Sequence, residues 1–142
     1  MKSMIIILLL ISPIFFFGQV GNKYDTLVDV NPEPIEGESN LVYWIKIKSQ
    51  EISSISNFDC LSGEKTYVLA SIVIDEKGNS TEPMILEGIN KVTNQETLKI
   101  LKNMELKWKP ATYKKEPRKC LYYFRFNLCP EKQLIKREKN KK

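Results

Sequence analysis

Few side chains in this sequence are equipped for chemistry. Its 142 residues include no histidine, which removes the commonest general base, the Ser-His and Cys-His nucleophile pairs and most zinc sites. There is no glycine-rich phosphate loop, no Gly-x-Ser-x-Gly elbow and no Cys-x-x-Cys pair,. Acids are plentiful, but Asp75, Glu76, Glu82, Glu87, Glu96 and Glu105 fall on expected turns and helix surfaces, where solvation accounts for them. A carboxylate hydrolase would need two such acids converging in a deep pocket. The expectation is a protein that is not an enzyme and uses no cofactor or metal. Three cysteines remain: Cys60, Cys120 and Cys129. The last two are nine residues apart on what reads as one strand, about 30 Å if extended. Disulfide geometry needs α-carbons within about 7 Å, so these two cannot bond to each other.

Whether any cysteine is oxidised depends on the compartment, and the N-terminus speaks to that. Lys2 is followed by an apolar run from Met4 to Phe17, 14 residues, short of the ~20 a membrane-spanning helix needs. A basic start, an apolar stretch of this length and a small residue at Gly18 make residues 1–18 read as an export signal. The remaining 142 − 18 = 124 residues suffice for one core. The formal charge of +5 is local. Residues 131–142 carry six basic and two acidic side chains and Lys2 adds one charge, leaving 5 − 4 − 1 = 0 for residues 3–130. The basic tail reads as a disordered, solvated terminus, and nothing else favours nucleic acid as a partner.

The elements that must position the cysteines follow from pattern. Residues 19–38 contain Pro32 and Pro34 and read as an extended lead-in,. Ser39 reads as an N-cap, with Leu41, Trp44, Ile45 and Lys48 at helical spacing over about 40–49,. The Ser/Asn/Asp/Gly-rich stretch 53–63 reads as loop. Thr66 to Asp75 is rich in β-branched and aromatic residues and makes the first strand,. A turn over Asp75 to Asn79, with Gly78 suited to positive φ, leads into a second strand, Ser80 to Glu87,. Thr93-Asn-Gln-Glu96 has the form of a capping box for a second helix running to about Leu106, with Leu98, Leu101 and Glu105 on one stripe. Trp108-Lys-Pro-Ala111 ends it. Arg118 to Leu128 is the third strand, with Cys120, Tyr122, Phe124, Phe126 and Leu128 on the face toward the helices, and Leu121, Tyr123, Arg125 and Asn127 on the other.

Pro83 decides the order of the strands. Proline cannot donate a ladder hydrogen bond, so the second strand belongs at an edge. The third must then lie beside the first, giving an α+β fold: two helices on one face of a three-stranded antiparallel sheet in the order second, first, third. The third strand keeps one open edge. In this arrangement its end, near Cys129, lies opposite the start of the first strand, just after Cys60. The expected disulfide is therefore Cys60–Cys129, with Cys120 a buried thiol. The alternative is three reduced, buried thiols.

The ordered set of Tyr67 through Asp75-Glu-Lys-Gly78, the capped helix, Trp108-Lys-Pro-Ala111, Lys115-Glu-Pro117 and the closing aromatic strand resembles the TonB C-terminal domain, in the standalone form common in Bacteroidetes. Asn31-Pro-Glu-Pro-Ile-Glu-Gly37 and the Trp44 helix resemble that group's lead-in and first helix, so the likeness spans about residues 30–128. The resemblance implies a periplasmic protein-binding module linked to TonB-dependent transport. Its partner, an extended segment of an outer-membrane transporter, would add as a strand to the backbone of Lys119 to Leu128. Leu121, Tyr123, Arg125 and Asn127 would then be the contact side chains. The same edge could accept a second copy of the chain by strand exchange.

Departures from the family pattern bear on function. A full energy transducer has a membrane anchor with a motor-facing histidine and a long proline-rich spacer. Here there is no histidine, the apolar segment reads as a signal, and only Pro32 and Pro34 precede the domain. The Tyr-Pro element before the first strand is replaced by Asn57-Phe-Asp-Cys60. The alternative is a structural or inhibitory periplasmic interaction protein that kept the fold and lost the transporter.

Overall fold

A computed structural model describes residues 27–132, 138 and 139. The expected export signal, the start of the lead-in and most of the basic tail lie outside the described residues. In chain order the elements are β1 (Glu33–Pro34), α1 (Glu38–Ile55), β2 (Tyr67–Ile74), β3 (Ser80–Glu87), α2 (Lys91–Lys102), β4 (Trp108–Lys109), β5 (Ala111–Tyr113), β6 (Glu116–Arg118) and β7 (Cys120–Asn127). The fold is α+β with antiparallel sheets. Among the described residues no helix is long and apolar enough to cross a membrane.

The main sheet has the order β3-β2-β7, and both neighbouring pairs are antiparallel. Its two sides differ. From Tyr67↔Asn127 to Ile74↔Cys120, β2 and β7 pair without a slip over eight residues. The β2–β3 register instead shifts twice, and Glu82 takes a positive φ of 49° just before Pro83. Those irregularities bend and break the β3 edge.

Alternation along the strands builds the core. Val68, Ala70, Ile72 and Ile74 of β2 join Phe124, Phe126 and Leu128 in one buried cluster, together with Leu41 and Ile52 of α1 and Ile100 and Leu101 of α2. Aromatic rings fill its centre: Trp108 lies 4.7 Å from Tyr122, and Trp44 lies 6.1 Å from Phe124 and 6.3 Å from Phe126. On the central strand the opposite-face hydroxyl of Ser71 is also buried, with no hydrogen-bond partner among the described residues.

The helices differ from expectation at their ends. The first begins after Gly37, whose φ of 92° starts it without a side-chain cap, so Ser39 lies inside the helix. It also continues past residue 49 to Ile55, because Ile52 completes the apolar spacing begun by Leu41 and Ile45. Ser56, in the stretch read as loop, instead donates its hydroxyl one turn back to the Ile52 carbonyl at 2.7 Å, as Ser49 does to Ile45 at 2.8 Å,. The cap of α2 is Asn90. Its Oδ1 accepts from the Thr93 N–H at 3.0 Å, while Thr93 Oγ1 accepts from the Asn90 N–H at 3.3 Å. Thr93 is thus the third helical residue of the box, and Glu96 lies beside Lys99 at 4.0 Å. The buried stripe is Thr93, Thr97, Ile100 and Leu101, and the helix stops at Lys102, short of Leu106.

Short strands join the remaining chain to this body. The lead-in pairs with the crossover through Glu33↔Lys109 and Pro34↔Trp108, and Val30 bridges Thr112. Gly78 in the β2–β3 turn takes φ 81°, and the Trp108 N–H donates to its carbonyl at 3.2 Å. A Cβ there would sit 1.9 Å from the Trp108 carbonyl oxygen. Only glycine fits.

Candidate functional site: the free edge of the last strand

The edge of β7 is described by its main-chain polarity. In an antiparallel pair, residues alternate between those whose N–H and C=O both face the neighbouring strand and those whose groups both face away. Leu128 N–H donates to Thr66 O at 2.8 Å, which fixes the phase. Counting back in twos through the unbroken register, Phe126, Phe124, Tyr122 and Cys120 point their main chain at β2. Leu121, Tyr123, Arg125 and Asn127 therefore turn theirs outward. No second strand pairs with β7 among the described residues. The four side chains expected at a contact edge belong to the four residues whose peptide groups face it.

Those side chains differ in freedom. Leu121 is half-buried, and Tyr123 is 62% exposed. Arg125 lies over the Tyr67 ring at 4.0 Å, and its Nε donates to Asn127 Oδ1 at 3.0 Å. Tyr67 also has the Lys65 Nζ 4.9 Å from its centroid, and its hydroxyl donates to Glu87 at 3.4 Å. Lys65 and Glu87 form an ion pair; their hydrogen bond raises the lysine pKa and lowers the carboxyl's. Tyr67 is thus the hub of a polar row across the outer face. Tyr123 is the one fully presented ring at the edge.

Beside the edge runs a groove of about 810 Å³ between α1 and the end of β7. Val42, Ile45, Lys46, Ser49 and Ser53 line its helical wall, Phe58 and the Cys60–Cys129 pair one end, and Arg125, Asn127 and Leu128 the strand side. Sequence pattern alone did not reveal this wall. Val42, Ile45, Ser49 and Ser53 fall on one flank of a helix that extends beyond the stretch read as helical. The signal was there in the three- and four-residue spacing of small and apolar types.

The Cys60–Cys129 disulfide is present, with α-carbons 5.7 Å apart across a sequence separation of 69. It fastens the chain before β2 to the end of β7, as strand order required. Cys120 is free and buried, and burial pushes its thiol pKa up. Burial likewise raises Tyr122, with Glu38 adding to it. Two acids do share a cleft, Glu51 and Glu96, between the helices. It measures about 140 Å³, and Glu51 is held by Lys48 at 2.7 Å. No group of three or more His, Cys, Asp or Glu among the described residues could hold a metal ion.

Compared with known proteins, the chain matches no family model, no curated protein and no solved structure. Its own geometry defines it as an α+β domain whose main sheet has one irregular edge and, among the described residues, one regular edge with no pairing strand, beside a groove.

Proposed function

We propose that the protein is a periplasmic strand-binding module of the TonB C-terminal-domain type, with both helices on one face of the main sheet. It would receive extended segments of outer-membrane transporters at β7 and take part in TonB-dependent transport by binding alone, without catalysis. The observation that carries this reading is the outward-facing main chain of Leu121, Tyr123, Arg125 and Asn127 along an eight-residue edge with no bulge or proline. Exposed straight edges are ordinarily blunted because they recruit other strands. Here β3 is blunted and β7 is not. An added strand would gain main-chain hydrogen bonds along β7 and bury alternate side chains against α1, the two ingredients of β-augmentation. The shared core of α1, α2 and the β2–β7 pair supports the placement of the helices. The disulfide and the apolar run Met4–Phe17 support an oxidising compartment,.

The test is a paired substitution and titration. Tyr123→Pro removes an N–H that faces the open edge and leaves the β2 ladder whole. It is expected to cost somewhat more than about 1 kcal/mol of stability, because proline's φ departs from strand geometry, while leaving the fold intact, and to weaken binding of transporter-derived peptides by roughly tenfold, the loss of about 1.4 kcal/mol. NMR titration of the unsubstituted protein should move the amides of residues 121, 123, 125 and 127 first. Peptides that bind without moving these amides would refute the reading.

A further inference from the structure

We infer that the segment received at β7 is acidic, with small or apolar side chains among the residues that face the groove. This rests on the strand-addition reading and specifies its partner. A strand paired with β7 continues the pleat, so its side chains point alternately to the outer face of the sheet and to the groove under α1. The groove-facing set would meet Val42, Ile45, Ser49 and Phe58. Val42 is 59% exposed, apolar surface that such residues would cover.

The charges of the groove set the rest. It is lined by Lys46, Arg125 and Lys132 against a single acid, Glu131. Lys46 and Lys132 form no ion pair among the described residues. Arg125 is held over Tyr67 and by the Asn127 side chain, with Glu87 close enough for its own carboxyl to feel the guanidinium. A surplus of two positive charges beside an open edge attracts carboxylates and repels lysines. A second copy of this chain fits the site less well. Its β7 would bring Arg125, its only charged side chain, to a cationic groove, and Phe124 and Phe126 are already committed to its own core.

Two end-blocked eight-residue peptides, matching the length of β7, provide the test: valine alternating with aspartate, and valine alternating with lysine. Binding is measured by NMR titration at low and high salt. The aspartate peptide is expected to bind at least about fivefold more tightly than the lysine peptide, with the ratio shrinking at high salt. In Lys46→Glu the ratio should fall by roughly threefold; in Val42→Asn both peptides should weaken. Equal affinities at low salt, or a ratio untouched by Lys46→Glu, overturn the inference and leave strand addition standing. If neither peptide moves the β7 amides, strand addition itself falls and takes this inference with it. Sedimentation showing dimers, with β7 amide shifts that follow protein concentration, would name a second copy as the occupant and overturn it as well.

Discussion

Replacing Cys60 and Cys129 together by alanine gives the perturbation whose size is best fixed in advance. The bond closes a loop with a sequence separation of 69. In the chain-entropy treatment this removes from the unfolded ensemble an entropy worth about 4 kcal/mol at room temperature. Both cysteines are nearly buried, at 7% and 6% exposure, but alanine leaves no polar atom there and adds only a small cavity term. For a folded body of about a hundred residues, 1 kcal/mol corresponds to roughly 4–8 °C in Tm. The double variant should therefore melt roughly 15–30 °C lower. Circular dichroism melts of the oxidised protein, the reduced protein and the variant are the assay; the last two should nearly coincide. Thiol titration of the denatured, unreduced protein should count one reactive cysteine per chain, Cys120. A fall in Tm under about 5 °C, or three titrating thiols, would refute the assignment of this bond as a principal restraint on the unfolded chain.

Three further outcomes are expected. Gly78→Ala should destabilise by about 3 kcal/mol or more, because its Cβ meets the Trp108 carbonyl oxygen at 1.9 Å with φ at 81°; chemical denaturation and the near-ultraviolet signal of Trp108 would register it. Ser71→Ala removes a buried hydroxyl that has no partner among the described residues, so stability should stay level or rise by up to about 1 kcal/mol; a clear loss would mean the hydroxyl is bonded. Burial pushes the Asp75 carboxyl up, but the N–H groups of Asn79 and Lys77 outweigh it and hold the pKa below the ordinary value. Its contribution is thus complete above the unfolded carboxyl pKa, about 4, and is lost as pH falls through the lower folded value. Asp75→Asn should flatten the stability profile in that acidic window, and an unchanged profile would count against the turn as its source.

How much could be read from the sequence depended on the length over which each signal extends. The three long strands announced themselves because β2 is rich in β-branched residues, β7 alternates over eight residues and Gly78 marks the turn between β2 and β3. Pro83 then fixed the strand order, and that order fixed the disulfide; a single missing N–H propagated into a covalent link. The four edge residues followed from the same alternation. The groove did not. Its walls come from Val42 to Ser53 and from Arg125 to Leu128, brought together only by packing. Strands of two or three residues, such as Glu33–Pro34 with Trp108–Lys109, have no period to detect. The start of α2 was misplaced because Thr93 suits either the cap or the third position, and only the geometry of Asn90 separates the two.

The unlike borders of the main sheet limit how large an assembly this molecule can build. With β3 kinked by two register shifts and a proline and β7 straight, each molecule has a valence of one. Two molecules that met head to head through β7 would leave only their two β3 borders at the ends of the joint sheet. Self-pairing through β7 would therefore stop at two molecules and would not grow into a fibre.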